Sequence, residues 1–348
     1  MTGSPPVGVG LIGFGYAGRT FHAPLITSLS ELALASICTT RPREAEAACP
    51  GARIVTSPDA LLADPAVELV VIATPNARHA PLALQAIAAG KAVLVEKPFA
   101  LDRAEAAAVL AAGAAAGVPV AAFQNRRFDS DFLTVRAALA EGAIGPVRHF
   151  ESHFDRFRPQ VRDRWREHDV PGAGVWYDLG PHLIDQTLQL FGSPRTVTAQ
   201  MAGMRPGAQT DDWFHAVLAY DGLRVVLHAS MLVAGGVPRF IAHGDGGSLV
   251  KAGADRQEAQ LLSGQPPGEG DWGRDPDPLR LWDADGERPP RPALSGDQRQ
   301  IYRQMAAAVR GDAPSPTSSA EILEVMAVLD AGRRSAREGV TVPLDPPA

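Results

Sequence analysis

The first third of the chain alternates short apolar runs with helix-like segments at regular spacing. The apolar runs are Val7 to Ile12, Leu32 to Cys38, Val67 to Ala73, Ala92 to Val95 and Val118 to Phe123. Runs that are apolar on both faces are typical of parallel strands covered on both sides, and helices between them supply that cover. Between the runs, Asp102 with Glu105 predicts a capped helix start and Gly90 predicts a helix end. The pattern therefore predicts an α/β fold with a doubly wound parallel sheet.

Beyond about Asn125 the pattern changes, so we predict two domains, residues 1–125 and 126–348. A helix is predicted from Ser130 to Ala140, and the strand-like runs that follow are Val147 to Phe157, Thr196 to Ala202, Trp213 to Tyr220, Leu223 to Met231 and Arg239 to His243. The Asp-Gly pair between Tyr220 and Leu223 predicts a hairpin, so this sheet is at least partly antiparallel. Residues 263–293 are dense in Pro, Gly and Asp and predict an irregular excursion. Ser318 with Glu321 predicts the start of a closing helix.

Composition narrows the class of protein without changing this picture. The chain has 348 residues, 45% of them hydrophobic and 21% charged, and a formal net charge of -6. Such a length favours two domains, and so mild a charge gives no indication of a nucleic-acid partner. Two cysteines are too few for a disulfide framework and favour a reducing cytoplasm. The start of the chain lacks a signal-peptide pattern, and the alanine-rich stretch from Ala104 is broken by glycines, so no membrane segment is predicted.

The stretch LIGFGYAG contains the spacing G-x-G-x-x-G, formed by Gly13, Gly15 and Gly18. It follows a predicted strand and opens a helix, which is the arrangement that brings a pyrophosphate against bare backbone at a helix N-terminus. The alternative is a tight strand-to-helix turn with no ligand. We predict a dinucleotide-binding turn, whose residues are Gly13, Phe14, Gly15, Tyr16, Ala17 and Gly18.

The end of the second predicted strand bears on which dinucleotide binds. NAD-preferring folds usually place an acidic residue there to hold the ribose 2′-hydroxyl. This chain has Thr39, Thr40 and Arg41 instead. Because an arginine can bind a 2′-phosphate, we predict that NADP is preferred and that NAD is possible. The alternative is that Arg41 is only the exposed start of a helix and that either cofactor is accepted.

Polar residues follow two neighbouring strands of the predicted sheet, at the ends where ligands of open α/β sheets bind. One strand is followed by Glu96, Lys97 and Pro98, and the strand before it by Thr74, Pro75, Asn76 and His79. A lysine in such a crevice can donate a hydrogen bond to a substrate oxygen. The alternative is a surface lysine paired with Glu96. We predict that all seven residues line the cofactor site and that Lys97 also contacts substrate.

In the second domain, Asp178 and His182 are four residues apart, so on a helix they share one face. A histidine there can shuttle a proton while the carboxylate orients it or binds substrate. Asp185 follows three residues later and can equally form a structural hydrogen bond. A metal site is not predicted, because no second histidine or cysteine has ligand spacing nearby.

Further substrate contacts are predicted at Asn125 and Arg127, which follow a strand end, and at Trp165, which can pack on a sugar ring. Trp165 lies in the segment Asp155 to Asp169, which mixes arginines with acidic residues. Such a mixed run more often forms salt bridges at a surface or subunit edge than an anion site.

The motifs GFGYAG, ATPNARH, GKAVLVEKP and YDLGPHLIDQ, in this order and spacing, resemble the Gfo/Idh/MocA family, named after glucose-fructose oxidoreductase, inositol dehydrogenase and a rhizopine-catabolism protein. The resemblance covers nearly the whole chain. The stretches QNRRFDSDFLT and FDRFRPQVRDRWRE further resemble the branch that contains NADP-dependent scyllo-inositol dehydrogenases. The family's fold is a Rossmann domain followed by an α+β domain with a large, open, mainly antiparallel sheet that often packs against a second subunit.

The resemblance implies that Lys97, Asp178 and His182 surround the nicotinamide and the substrate hydroxyl. We expect an NAD(P)-dependent dehydrogenase or reductase of an inositol-like polyol or sugar, in which His182 is the base, Lys97 stabilises the alkoxide and Asp178 orients histidine or substrate. Lysine and histidine can exchange these roles. A homodimer or homotetramer formed through the second sheet is expected. Two alternatives remain, a glycosidase that recycles its cofactor and a dinucleotide-binding regulator without turnover.

Overall fold

The computed structural model describes residues 5–344, which form two compact units. The first unit contains the chain up to Asn125 together with residues 257–272 and 297–323, which we call the returning segments. The second unit contains residues 126–256, 273–296 and the chain from Glu324 onward. The returning segments lie within the range 126–348 that the sequence assigned to the second domain, and they were not anticipated.

Strands and short to medium helices alternate along the described chain. The strands are β1 Val7–Ile12, β2 Leu32–Cys38, β3 Arg53–Val55, β4 Leu69–Ile72, β5 Ala92–Val95, β6 Val120–Ala122, β7 Val147–His153, β8 Thr196–Ala202, β9 Trp213–Tyr220, β10 Leu223–Ser230, β11 Phe240–Gly244, β12 Gly247–Lys251, β13 Leu279–Asp283, β14 Gly286–Arg291 and β15 Val342–Pro343. The helices are α1 Ala23–Thr27, α2 Pro42–Ala48, α3 Pro58–Leu62, α4 His79–Ala88, α5 Arg103–Ala116, α6 Ser130–Ala140, α7 Val175–Phe191, α8 Gln257–Leu262, α9 Gln300–Arg310 and α10 Ser319–Glu338. A π turn at Gly18–His22 precedes α1, and 3-10 turns lie at Asn76–Arg78, Asn125–Phe128 and Trp165–Glu167.

The first unit is built on a six-stranded parallel sheet in the order β3-β2-β1-β4-β5-β6. Every residue of β1, β4 and β5 is buried, as expected for strands covered on both faces. The predicted doubly wound parallel sheet is confirmed. Because the strand order reverses between β1 and β4, the carboxyl ends of these strands border the crevice where ligands of such sheets bind.

Both predicted helix starts are confirmed as side-chain caps. The Asp102 carboxylate accepts a hydrogen bond from the N–H of Glu105 at 2.9 Å, and the Glu105 carboxylate accepts one from the N–H of Leu101, the residue before the cap, at 3.0 Å. The second cap is reciprocal: the Glu321 carboxylate accepts from the N–H of Ser318 at 2.7 Å, and the Ser318 hydroxyl accepts from the N–H of Glu321 at 3.2 Å. Each cap satisfies backbone N–H groups that a helix leaves without partners at its first turn.

The second unit contains a nine-stranded sheet in the order β14-β13-β12-β11-β7-β10-β9-β8-β15. Strands β7 and β10 are parallel, whereas the remaining neighbours are antiparallel, so the mainly antiparallel sheet is confirmed. The hairpin joining Tyr220 to Leu223 is also confirmed. The irregular excursion predicted over residues 263–293 is wrong in part, because β13 and β14 form there. Pro289 and Pro290 obscured β14, and their lack of N–H groups is tolerated because β14 is the edge strand.

Helix α7 packs on one face of this sheet. The ring centroids of Trp176 and Phe214 lie 4.9 Å apart, and the Trp176 indole N–H donates to the carbonyl of Leu329 on α10 at 3.0 Å. The other face of the sheet is more polar and carries His149 and His153 on β7 on either side of Glu151. The core of the second unit therefore lies between the sheet and the two long helices, and it fixes α7 with its predicted catalytic residues.

Candidate functional site

The three glycines of the turn after β1 differ in why a glycine suits each position. Gly13 has a φ of 105°, and a Cβ there would lie 2.3 Å from the carbonyl oxygen of Ala73. A Cβ on Gly18 would lie 2.1 Å from the carbonyl oxygen of Gly13, whereas a Cβ on Gly15 would meet no atom within 4 Å. Gly13 and Gly18 are thus needed for the fold itself. Gly15 leaves open space above the backbone, which fits the close approach of a dinucleotide pyrophosphate.

The remaining residues of the turn lie on different sides of it. Phe14 is buried, while Tyr16 is exposed and its hydroxyl donates to Glu258 of a returning segment at 2.8 Å. A cavity of about 430 Å³ lies beside the turn and is lined in part by Phe14, Arg19 and Leu261. Lys97 is not among its lining residues, so this cavity alone does not define the chemistry. The carboxyl ends of β4 and β5 are the better candidate for the reactive site, because ligands of open parallel sheets bind at these strand ends.

At the end of β2, Thr39 is buried and its hydroxyl accepts a hydrogen bond from the N–H of Arg41 at 3.0 Å. The Arg41 guanidinium lies 3.8 Å from the carboxylate of Glu44, and that of Arg19 lies 3.7 Å from the same carboxylate. These three side chains are about half exposed. An exposed arginine is the kind of side chain that binds phosphate oxygens, so the 2′-phosphate contact of Arg41 stays a prediction. The pairing of Arg41 with Glu44 was not anticipated.

Beyond β5, the residue Glu96 is buried and both of its carboxylate oxygens are in hydrogen bonds. One oxygen lies 3.0 Å from Nε2 of His22, and the other accepts a bond from the N–H of Lys97 at 2.9 Å. The second ring nitrogen of His22 lies 2.6 Å from the hydroxyl of Tyr302 on α9. Glu96 therefore holds the main chain of Lys97, a role different from the surface pairing considered in the sequence analysis.

The charge state of Glu96 follows from its neighbours. Burial raises the pKa of Glu96, but the hydrogen bond from His22 and the charges of His22, Lys97 and His79 outweigh this effect and hold the pKa below its usual value. Burial, together with the charge of Glu96, raises the pKa of Tyr302 well above its usual value. An ionised Glu96 and a neutral Tyr302 are therefore expected at neutral pH.

The loop after β4 is joined to the loop after β5 through His79. Its Nδ1 lies 2.8 Å from the carbonyl oxygen of Pro98, and its Nε2 lies 3.0 Å from that of Thr74. His79 and Asn76 are buried, and Pro75 precedes the 3-10 turn in which Asn76 lies. The structure thus brings together the predicted residues that follow β4 and β5.

Helix α7 carries Asp178 and His182, one turn apart as predicted. The Asp178 carboxylate lies 3.3 Å from Nε of Arg166, and its side chain remains partly exposed. His182 is buried. The helix begins after Gly174, whose φ of 95° and close approach to the Asp211 carboxylate leave no room for a side chain. These constraints fix the start of α7 and hence the position of its first acidic residue.

The third polar residue of α7, Asp185, forms a buried ion pair with Arg127. The Arg127 guanidinium donates to the Asp185 carboxylate at 2.6, 2.9 and 3.2 Å, and the side chains are only 10% and 3% exposed. Arg127, predicted as a substrate contact, is therefore engaged within the second unit. Asn125 is also buried, and Trp165 stacks with the guanidinium of Arg166 at 4.6 Å.

Metal sites and membrane-spanning helices are two further features to consider in the described residues. Between residues 5 and 344, no group of three or more histidine, cysteine, aspartate or glutamate side chains is placed to hold a metal ion. No helix of that same range has the length and hydropathy needed to cross a membrane.

Two family models match the chain and together cover most of it. Residues 7–123 match the Gfo/Idh/MocA model described as an oxidoreductase family with an NAD-binding Rossmann fold. Residues 136–344 match the companion model, the C-terminal alpha/beta domain of the same oxidoreductase family. The two matches correspond to the two sheets described above.

Individual relatives agree over nearly the full length. The chain is 44% identical to the uncharacterized oxidoreductase YdgJ of Escherichia coli, over 97% of this chain and 99% of that protein. It is 34% identical to the NADP-dependent scyllo-inositol 2-dehydrogenase IolW of Bacillus subtilis, over 97% and 96%. A crystal structure of an oxidoreductase from Bacillus cereus superposes with a TM-score of 0.87 at 33% identity, covering 98% of this chain and 99% of that one.

Proposed function

Because the chain belongs to the Gfo/Idh/MocA oxidoreductase family, we propose that it transfers hydride between NADP and a secondary hydroxyl, or the matching carbonyl, of an inositol-like polyol or sugar. The observation that carries the proposal is that one parallel sheet bears two features at its strand ends. The turn after β1 has open space around Gly15, and Lys97 has its main chain held at the end of β5. The first suits a pyrophosphate and the second suits a reacting oxygen.

In the proposed mechanism the nicotinamide, when bound, accepts or donates the hydride. The hydroxyl proton must leave as the carbon loses hydride, because charge would otherwise accumulate on oxygen. We assign His182 as the base that takes this proton and Lys97 as the cation that stabilises the developing alkoxide. Asp178 orients the histidine or a substrate hydroxyl. The pH profiles described below distinguish this assignment from one in which Lys97 and His182 exchange roles.

The preference for NADP rests on the end of β2. None of Thr39, Thr40 and Arg41 is acidic, and the Arg41 guanidinium is exposed beside the buried Thr39. The planar, charged donors of an arginine bind the oxygens of a 2′-phosphate more strongly than they bind a neutral ribose hydroxyl. The relative IolW, named as an NADP-dependent scyllo-inositol 2-dehydrogenase, supports this choice of cofactor and the first substrate to test.

The test is a panel of inositols, aldoses and ketoses with NADP and with NAD, followed by pH profiles. We expect scyllo-inositol with NADP to be oxidised at a rate that rises with pH through one ionisation. His182→Asn should remove that ionisation, because the base is then absent. Lys97→Ala should bind the dinucleotide and lose most turnover. An unchanged profile in the His182 variant, together with near-normal turnover in the Lys97 variant, would contradict the assignment.

A further inference from the structure

The main-chain N–H of Lys97 is held by a chain of buried hydrogen bonds. The chain runs from Tyr302 to His22, then to Glu96, and ends at the main-chain N–H of Lys97, with distances of 2.6, 3.0 and 2.9 Å. Tyr302 and His22 are fully buried, and the Glu96 side chain is 11% exposed. Neither His22 nor Tyr302 belongs to a motif that suggested function in the sequence.

The protonation of Glu96 and of Tyr302 constrains the hydrogen bonds of this chain. An ionised carboxylate only accepts hydrogen bonds, so the Nε2 of His22 that faces Glu96 carries a proton. Tyr302 is held neutral because burial and the charge of Glu96 raise its pKa. Its hydroxyl lies 2.6 Å from Nδ1 of His22, and hydrogen bonds linked in this way strengthen one another in a low-dielectric interior.

The effect on Lys97 is positional. With one Glu96 oxygen bound to His22 and the other to the Lys97 N–H, the carboxylate has a fixed orientation. On the other side of the loop, His79 holds the carbonyl oxygen of Pro98 at 2.8 Å. The main chain that carries Lys97 is thus held both before and after its side chain. A reacting group must be placed within a fraction of an ångström to be effective, so such restraint matters for rate.

Tyr302 reaches this place because a returning segment crosses back to the first unit. The rings of Tyr302 and Phe123 lie 5.7 Å apart, and those of His22 and Phe123 lie 4.4 Å apart, so all three pack together. In the same segment Thr317 accepts a hydrogen bond from the N–H of Ala122 at 2.8 Å and covers the end of β6. The dinucleotide-binding unit is therefore completed by residues far along the chain.

We propose that His22 and Tyr302 are positioning residues for Lys97, acting through Glu96 on its main chain. This inference rests on the proposed function, in which Lys97 acts at the reacting oxygen. Neither residue needs to contact substrate or cofactor. Their loss should therefore lower kcat while leaving dinucleotide binding intact.

The test compares Tyr302→Phe, His22→Ala and His22→Gln with wild type. Tyr302→Phe removes only a hydroxyl, and we expect kcat to fall about tenfold, the factor that corresponds to one buried hydrogen bond. His22→Ala should lower kcat further, and His22→Gln should recover part of the loss, because an amide can both donate to Glu96 and accept from Tyr302. The dissociation constant for NADP should stay within about twofold of wild type. Tyr220→Phe, which removes a hydroxyl bonded to Gly192 in the second unit, is the control with unchanged kcat.

A second measurement needs neither substrate nor cofactor. Hydrogen exchange of the Lys97 amide should be about tenfold faster in Tyr302→Phe and faster still in His22→Ala, because its bond to Glu96 is less well held. Exchange of Val93 in the middle of β5 should not change. Thermal unfolding shows whether each variant is folded. If His22→Ala does not fold, His22→Gln replaces it in both measurements.

The outcomes separate this inference from the proposed function. Unchanged exchange at Lys97, or a kcat loss accompanied by an equal loss of NADP affinity, would overturn the positioning role. If Lys97→Ala is inactive while Tyr302→Phe and His22→Ala match wild type, the proposed function stands and only the inference fails. If Lys97→Ala keeps normal turnover, the proposed role of Lys97 fails, whereas the exchange data still decide whether the network holds its main chain.

Discussion

Replacing Asp185 by Asn should destabilise the second unit strongly, because it removes the negative charge from the buried ion pair with Arg127. The pair is bidentate, with contacts down to 2.6 Å, and the side chains are 10% and 3% exposed. Asn is nearly isosteric and can still accept one hydrogen bond. The substitution therefore removes charge with little change in packing.

The expected loss follows from the burial of the pair. Removing one partner from a buried ion pair typically costs about 3–5 kcal/mol, since the remaining charge has no compensation in a low-dielectric interior. Because Asn retains one hydrogen bond, we expect the free energy of unfolding to fall by about 3 kcal/mol. Replacing both residues, as Arg127→Met with Asp185→Leu, should be far less damaging than Asp185→Asn, because no charge is then left buried.

Urea unfolding followed by tryptophan fluorescence measures these changes. Asp245→Asn is the matched control, because Asp245 forms a bidentate pair with Arg148 in the same unit but both side chains are about half exposed. We expect no measurable loss in that variant. A loss below about 1 kcal/mol in Asp185→Asn would refute the reasoning. If the Michaelis constant for substrate rose at the same time, Arg127 would instead act mainly as the substrate contact predicted from the sequence.

Two further predictions concern the dinucleotide site. Gly15→Val should leave the free energy of unfolding unchanged, since no atom lies within 4 Å of the added Cβ, yet it should weaken the binding of both NADP and NAD in calorimetric titration. Gly18→Ala should lower the free energy of unfolding, because its Cβ would lie 2.1 Å from a carbonyl oxygen. Normal dinucleotide affinity in Gly15→Val would show that the pyrophosphate binds elsewhere. Arg41→Ala should raise the dissociation constant of NADP by about tenfold, the factor expected for a charge-assisted hydrogen bond at an exposed site, and leave that of NAD unchanged. An equal effect on both cofactors would reject the 2′-phosphate contact.

Local and periodic features of this protein were determined by the sequence itself. The bounds of β1, β2 and β5 follow from predominantly apolar runs, and the caps at Asp102 and Ser318 follow from residues three positions apart. The need for glycine at Gly18 is also local, because a Cβ there would meet the carbonyl oxygen of Gly13, five positions earlier. Such features are predictable because the interacting groups are close in sequence or repeat with the period of the element.

Strands β13 and β14 show where such patterns stop being sufficient. Leu279–Asp283 is short, and Gly286–Arg291 contains two prolines, so neither segment has the composition of an interior strand. They form strands because β12 offers a paired neighbour and because β14, at the edge, does not need every N–H. Long-range pairing here overrides local propensity.

The partners of the polar residues were decided only by the tertiary structure. The sequence marked Glu96 and Lys97 as site residues and left Asp185 open as a structural hydrogen-bonding group. It did not show that His22 and Tyr302 hold Glu96 or that Arg127 neutralises Asp185. His22 and Tyr302 are 280 positions apart. A buried charge or hydroxyl must find a partner wherever folding brings one, and that choice depends on how distant segments pack, which no local pattern records.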